Sequence, residues 1–251
     1  MTRICVAGGD ERMEYTANAL QKAGYEVVRD PDTQDYEVLV LPVQSSGISP
    51  SVIQAARDNG VCVIGGMLPI QGEGCFDYMK DEAFLYENAR ITAEGAMVLL
   101  GERLKGTLYG ADVGILGMGR IAECLCRILC ALGVRTTVYA RRPEALIRAR
   151  AMGADTVRFC GRLPQRVASH DAICNTVPYM LMDASLLSFV GRDALLLELA
   201  SAPGGFDLMA VQRGGLSYVG GQRLPSRYAP RAAGELIADY TVRVFNGEVL
   251  S

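Results

Sequence analysis

The feature that most constrains this chain is the stretch DVGILGMGRIA at residues 112–122, followed about twenty residues later by TTVYARRP at 136–143. An apolar run, Val113-Gly114-Ile115-Leu116, breaks at Gly117-Met118-Gly119-Arg120-Ile121-Ala122 and passes into helical spacing. Strand, tight turn and helix follow one another. Gly117 lets the chain leave the strand sharply, and Gly119 carries no side chain where a pyrophosphate must approach the backbone. Ala122 is small enough for the helix to lie against the sheet. The first amides of that helix have no intrahelical acceptors and face an anion. With Thr137-Val138-Tyr139 as the next strand, the spacing is that of a β-α-β unit and predicts dinucleotide binding. The alternative is a Gly-rich turn in a nucleotide-free domain of the same class.

The end of the second strand bears on the cofactor. An NAD site usually carries Asp or Glu there to accept from the ribose 2′-hydroxyl, and this chain has Ala140-Arg141-Arg142. A carboxylate would repel a 2′-phosphate, whereas Arg offers it a fork of donors. The expectation is therefore NADP, with NAD as the alternative if Arg141 and Arg142 are only solvated charges before Pro143. Asn175-Thr176-Val177-Pro178 and Ala200-Ser201 end two later strands of the same unit, where the nicotinamide half of the cofactor is expected.

Strands alternate with helices from the start of the chain, which implies parallel sheets. The rhythm predicts an α/β fold: a Rossmann doubly wound sheet of order 3-2-1-4-5-6 over 91–229, preceded by a smaller α/β domain of Rossmann or flavodoxin-like type over 1–90. A helix over 231–245, within the C-terminal piece 230–251, is expected to return to the first domain, and 221–230 reads as a loop. Residues 70–81 also read as a loop and Phe84-Leu85-Tyr86 as a short strand. A helix capped by Thr92, with Glu94 in its first turn, is expected to cross into the nucleotide domain.

Half of the 251 residues are apolar, enough for a sizeable core. The 25 basic and 28 acidic residues give a net charge of −3 with no long run of either sign, which argues against a nucleic-acid surface or a polybasic membrane patch. No apolar run approaches the roughly 18 residues needed to span a bilayer. The eight cysteines include no C-x-x-C pair, so no metal site is expected, and reduced buried thiols in a cytoplasmic protein are the simpler reading.

Further motifs are Gly8-Gly9-Asp10, Leu41-Pro42-Val43, Thr92-x-Glu94-Gly95, Asn175-Thr176-x-Pro178, Leu199-Ala200-Ser201-x-Pro203-Gly204-Gly205 and Leu224-Pro225-x-x-x-Ala229-Pro230-x-x-Ala233-Gly234. With the Gly117 turn, they make the chain resemble the family of dipicolinate synthase A chains over most of its length. The resemblance implies an NADP-linked oxidation of dihydrodipicolinate, from the lysine branch, to the dipicolinate stored during sporulation. It also implies a second dipicolinate synthase subunit, and a homo-oligomer is expected. The chain departs from the family by a shorter first domain, by Ile91 in place of Pro, and by Ser226-Arg227 where Gly-Lys is frequent.

A dicarboxylate substrate needs cations or amide donors, and hydride loss needs a base for the accompanying proton. Glu94 is the leading acid–base candidate, its alternative being a helix-dipole partner, and Asp10 is second, its alternative being a helix cap. Gly9, Ser45, Ser46 and Arg227 are the substrate candidates, with Arg120 and Arg231 behind Arg227. His170, ahead of the fourth strand of the nucleotide domain, reads as a satisfied surface histidine. Two other readings stay open. A D-2-hydroxyacid dehydrogenase shares the two-domain plan but needs a late histidine, and none follows residue 170. A nucleotide-binding or regulatory subunit needs no catalytic group at all.

Overall fold

A computed structural model of the chain describes residues 2–33, 35–43 and 48–249. It divides the chain into two units, 1–91 with 225–251 and 92–224. Both are built on parallel sheets covered by helices, the reason their central strands read as unbroken apolar runs.

In the first unit, β1 (Arg3–Val6), β2 (Glu26–Val28), β3 (Val38–Val40), β4 (Cys62–Gly65) and β5 (Cys75–Asp77) form a sheet of order β2-β1-β3-β4-β5, the flavodoxin-like winding. Helix α1 (Glu11–Lys22) starts at Asp10, whose side chain accepts from the Arg12 amide, and buries Met13, Thr16, Ala17 and Leu20 at helical spacing. Helix α2 (Pro50–Asp58) follows a Ser49 cap. Helix α3 (Glu82–Arg103) leaves this unit, α8 (Leu224–Tyr228) re-enters it, and α9 (Pro230–Phe245) packs on α1. That packing requires Gly234, because a Cβ there would lie 2.3 Å from the Arg12 carbonyl oxygen. Thr16 Oγ1 donates to the Gly234 carbonyl at 3.0 Å across the same seam.

Several sequence expectations fail in or beside this unit. Residues 70–81 hold β5 and a 3-10 turn, Tyr78–Lys80, where a loop is expected. The Asp77 carboxylate organises them by accepting from the Met67 and Met79 amides at 3.0 and 2.9 Å. Phe84-Leu85-Tyr86 belongs to α3, not to a strand. Asp81 accepts from the Phe84 amide at 2.7 Å, and the Phe84 ring lies 4.5 Å from the buried Tyr78 ring, so a cap and an aromatic cluster override local strand preference. Thr92 is therefore interior to α3 and caps nothing at its start. Residues 221–230 include α8 rather than a continuous loop.

The second unit contains β6 (Asp112–Leu116), α4 (Arg120–Ala131), β7 (Arg135–Ala140), α5 (Pro143–Ala151), β8 (Asp155–Arg158), β9 (Ala172–Asn175), α6 (Ala184–Leu187), β10 (Leu195–Glu198), α7 (Leu208–Gly214) and β11 (Ser217–Gly220). The sheet order β11-β10-β9-β6-β7-β8 is the doubly wound 3-2-1-4-5-6 counted from the other edge. Helix α4 buries Ala122, Leu125, Cys126 and Leu129, an i, i+3, i+4, i+7 stripe against the sheet. Burial pushes the thiols of Cys5, Cys126 and Cys174 up to about 12, as inert core cysteines require. Cys160, in contrast, is exposed. Among the described residues there is no group of His, Cys, Asp and Glu able to hold a metal ion, and no helix long and apolar enough to cross a membrane.

Candidate functional site

The carboxyl edge of the second sheet gathers most of the residues singled out in the sequence. Leaving β6, Gly117 takes φ +96° and donates its N–H to the Tyr139 carbonyl at 2.9 Å. A Cβ there would meet Thr176 Oγ1 at 2.6 Å and Val177 Cγ2 at 2.7 Å, so glycine is required by conformation and by space. Gly119 is the N-cap of α4 and makes no side-chain cap hydrogen bond. Among the described residues nothing lies within 4 Å of where its Cβ would stand. An open face over a helix N-terminus fits a pyrophosphate, and the residues present satisfy what a dinucleotide asks of such a turn.

Met118 is buried, and its carbonyl accepts from Arg148 Nη2 at 3.1 Å. Arg148 also pairs with Glu123 at 3.3 Å, so α5 is tied to the turn and to α4 together. Arg120, at the start of α4, is exposed, and Ile121 is partly buried beside it. Arg141 and Arg142 stand exposed past the end of β7. Arg158, paired in register with Ala140, donates to the Arg141 carbonyl at 3.4 Å. Among the described residues none of these three arginines has a carboxylate partner, which leaves an uncompensated cationic group past the end of β7.

The ends of β9 and β10 are joined by a residue that sequence reasoning missed. Glu198 closes β10 at 3% exposure. Its Oε1 accepts from Asn175 Nδ2 at 2.6 Å and from the Ala200 amide at 3.0 Å, and Oε2 accepts from the Gly205 amide at 2.7 Å. Burial pushes the carboxyl of Glu198 up from the usual range, opposed by those N–H donors. Fully buried Asn175 also donates to the Val177 carbonyl at 2.9 Å and accepts from the Val177 amide at 3.1 Å. Thr176 donates its hydroxyl to the Leu116 carbonyl at 2.7 Å. The segments 175–178 and 200–205 are thus braced against each other and against the glycine turn. A Cβ on Gly205 would come within 2.4 Å of Asn175 Nδ2. Ser201 is exposed at the rim.

The other candidates belong to α3 and to the first unit. Glu94 is exposed within α3, well past its first turn, so the helix-dipole alternative for it falls away. Asp10 takes the capping geometry, and its carboxylate is engaged by the Arg12 guanidinium. Gly9 is exposed on the loop after β1. Ser45 and Ser46 lie outside the described residues. Arg227 is exposed on α8, its guanidinium 5.3 Å from the Tyr228 ring centroid. Arg231 is tied to Glu235 at 2.8 Å.

His170 is satisfied as expected but buried rather than superficial, at 5% exposure. Its Nδ1 pairs with Asp112 Oδ1 at 2.5 Å and its Nε2 with the Tyr139 hydroxyl at 2.7 Å, at the amino end of the sheet. The ring fits because position 114 is glycine, whose Cβ would lie 2.5 Å from it. A cavity of about 600 Å³ opens at that amino edge, lined in part by Lys105, Tyr109, His170 and Phe189. It faces away from the glycine turn, and with both ring nitrogens engaged His170 offers no free acid or base to it.

Residues 76–202 match the model of the D-isomer specific 2-hydroxyacid dehydrogenase, NAD binding domain. The dipicolinate synthase A chain of Bacillus subtilis (strain 168) is 32% identical over 163 residues, 64% of this chain and 54% of that protein. The chain thus spans about half the length of this curated relative. The crystal structure of the dipicolinate synthase A chain from Bacillus subtilis superposes with a TM-score of 0.83 at 23% identity, covering 98% of this chain and 96% of that one. The apo-structure of D-lactate dehydrogenase from Escherichia coli gives 0.64 at 15% identity over 99% and 98%. At these identities the structures establish the fold. The resemblance carried by the sequence motifs is borne out by the curated relative, and a nicotinamide dinucleotide is the cofactor that the matched domain supports. The chain belongs to the family defined by the NAD-binding domain of D-isomer specific 2-hydroxyacid dehydrogenases.

Proposed function

We propose that this chain takes part in the NADP-linked oxidation of dihydrodipicolinate to dipicolinate, a product of the lysine branch used in sporulation, together with a second subunit. The observation that carries the reading is its 32% identity to the dipicolinate synthase A chain of Bacillus subtilis, and a braced dinucleotide edge supports it. Gly117, Met118 and Gly119, with Arg120 and Ile121 opening α4, hold the pyrophosphate, and Arg141 and Arg142, backed by Arg158, receive the 2′-phosphate. Asn175, Thr176, Val177, Pro178, Ala200 and Ser201 border the nicotinamide. Bound there, NADP supplies the acceptor for the hydride leaving the substrate ring. Glu94 takes the accompanying proton, with Asp10 as the second candidate, and Gly9, Ser45, Ser46 and Arg227 contact substrate.

The test mixes the purified chain with the candidate second subunit, dihydrodipicolinate and NADP, and follows NADPH absorbance. Absorbance is expected to rise. NADP binding without NADPH formation would favour a purely regulatory role, a reading supported by the engagement of both nitrogens of the single histidine. For the cofactor, Arg141→Asp is expected to weaken NADP at least about tenfold while sparing NAD, since a carboxylate repels the 2′-phosphate. Unchanged NADP affinity in that variant would remove the NADP preference.

A further inference from the structure

The first unit carries a cation that the sequence candidates leave unused. Its strand order reverses between β1 and β3, and open α/β sheets take their ligands at the carboxyl ends of the strands flanking such a switch. The chain leaving β1 there is Ala7-Gly8-Gly9-Asp10, which leads directly into α1. Arg12 lies in the first turn of that helix with a side chain only 11% exposed. One edge of its guanidinium is spent on Asp10: Nε donates to both carboxylate oxygens at 3.0 Å, and Nη2 donates to Oδ2.

A guanidinium has a second edge, formed by Nη1 with the remaining Nη2 hydrogen. Among the described residues Nη1 of Arg12 has no hydrogen-bond partner. Beside it, no atom of the described residues stands within 4 Å of a Cβ built on Gly9. The other cations considered for the substrate are less prepared. Arg231 is solvated with Glu235, and the exposed Arg227 must give up its rotamer freedom on binding. The Arg12 fork is already held in one plane by Asp10, so little ordering entropy remains to be lost.

Resting on the substrate reading above, we propose that the Nη1–Nη2 edge of Arg12 binds a carboxylate of the substrate, and that Asp10 is the positioning residue that fixes this edge. The match is geometric, because a planar fork meets a planar carboxylate through two parallel hydrogen bonds, which a lysine ammonium does not reproduce. Asp10 cancels much of the long-range attraction. Affinity at this edge therefore comes from hydrogen bonds at close range, and it favours oxyanions that present two oxygens to the fork over monatomic anions.

Calorimetric titration of the full chain with dipicolinate in saturating NADP, and separately with NADP, tests the assignment. Arg12→Lys keeps the ion pair and loses the fork, and Arg12→Gln loses both. Dipicolinate affinity is expected to fall about tenfold in the first and about a hundredfold in the second, the scale of hydrogen bonds to charged groups. NADP affinity should stay within about twofold of wild type in both, because neither change touches the nucleotide unit. Dipicolinate binding at wild-type strength in both variants overturns the assignment, and so does a parallel loss of NADP binding in Arg12→Lys, which marks a structural role. A wild-type chain that binds NADP but no dipicolinate overturns the substrate reading instead, and the assignment falls with it.

Discussion

Replacing Glu198 by Gln should destabilise the nucleotide unit, although it changes neither the shape nor the size of the side chain. The groups that bind this buried carboxylate are all N–H donors: Asn175 Nδ2 and the Ala200 amide on Oε1, and the Gly205 amide on Oε2. A carboxamide turns one acceptor into an NH₂ group. Set toward the Oε1 position it would face two donors, and toward Oε2 it faces the Gly205 amide, with the Phe206 amide also acting on the carboxylate, so either orientation leaves a donor unpaired. One hydrogen bond is then lost, roughly 0.5–1.5 kcal/mol, and a buried amide is left without an acceptor, about 1–3 kcal/mol more. Against this, burial holds the Glu198 carboxyl above the usual range, so neutralising the site recovers part of the desolvation cost. The net loss is about 2 kcal/mol, a fall in Tm of about 6–8 °C for a unit of this size, read by circular dichroism at neutral pH. The pH dependence has a definite sign. A carboxyl whose folded pKa is raised binds its proton more readily folded than unfolded, so its contribution is complete below the unfolded pKa and is lost as pH rises through the folded one. The stability gap between wild type and Glu198→Gln should therefore narrow as pH rises out of the acid range. A variant melting within about 1 °C of wild type, or a gap that widens with pH, would refute this account of the brace.

The two glycines of the turn should separate folding from binding. Gly117→Ala forces a side chain into φ +96° and against Thr176 and Val177, and is expected to cost about 2 kcal/mol or more in a urea titration. Gly119→Ala enters open space, so its Tm should match wild type while NADP binding weakens at least about tenfold; retained binding would place the pyrophosphate elsewhere. At the amino edge, Gly114→Ala drives a methyl to 2.5 Å from the His170 ring and should cost about 2 kcal/mol, much of it relieved in Gly114→Ala/His170→Ala. Strict additivity in that double variant would show that the ring is not what the methyl strikes.

The nucleotide unit was legible because its signals are local. A strand, a glycine turn and a helix stripe each occupy a few consecutive residues, and the strand rhythm carried the sheet order with it. Legibility failed where a distant residue outvotes the local pattern. Phe84-Leu85-Tyr86 has the composition of a strand, yet Asp81 and the Tyr78 ring make it the start of a helix. Strand β5 is three residues long and pairs with β4 through its backbone, which leaves no side-chain periodicity to read. Glu198 finds one partner 23 residues before it and others within seven after it, a separation that no periodic window spans. It did leave a trace: a carboxylate among four leucines, in a strand whose neighbours imply burial on both faces.

A charge placed at the end of an apolar parallel strand, or just inside the helix that follows, costs desolvation unless the fold supplies partners. Glu198 and Arg12 both occupy such positions, and the two differ in how completely they are satisfied. On Glu198 both oxygens are taken by N–H groups from the two loops it braces, so its charge is spent on holding the edge together. Arg12 spends one edge on Asp10, and among the described residues the Nη1 of its other edge has no partner. Partner saturation, rather than burial alone, is what separates a brace from a binding group, and it assigns the two residues to different tasks before any ligand is considered.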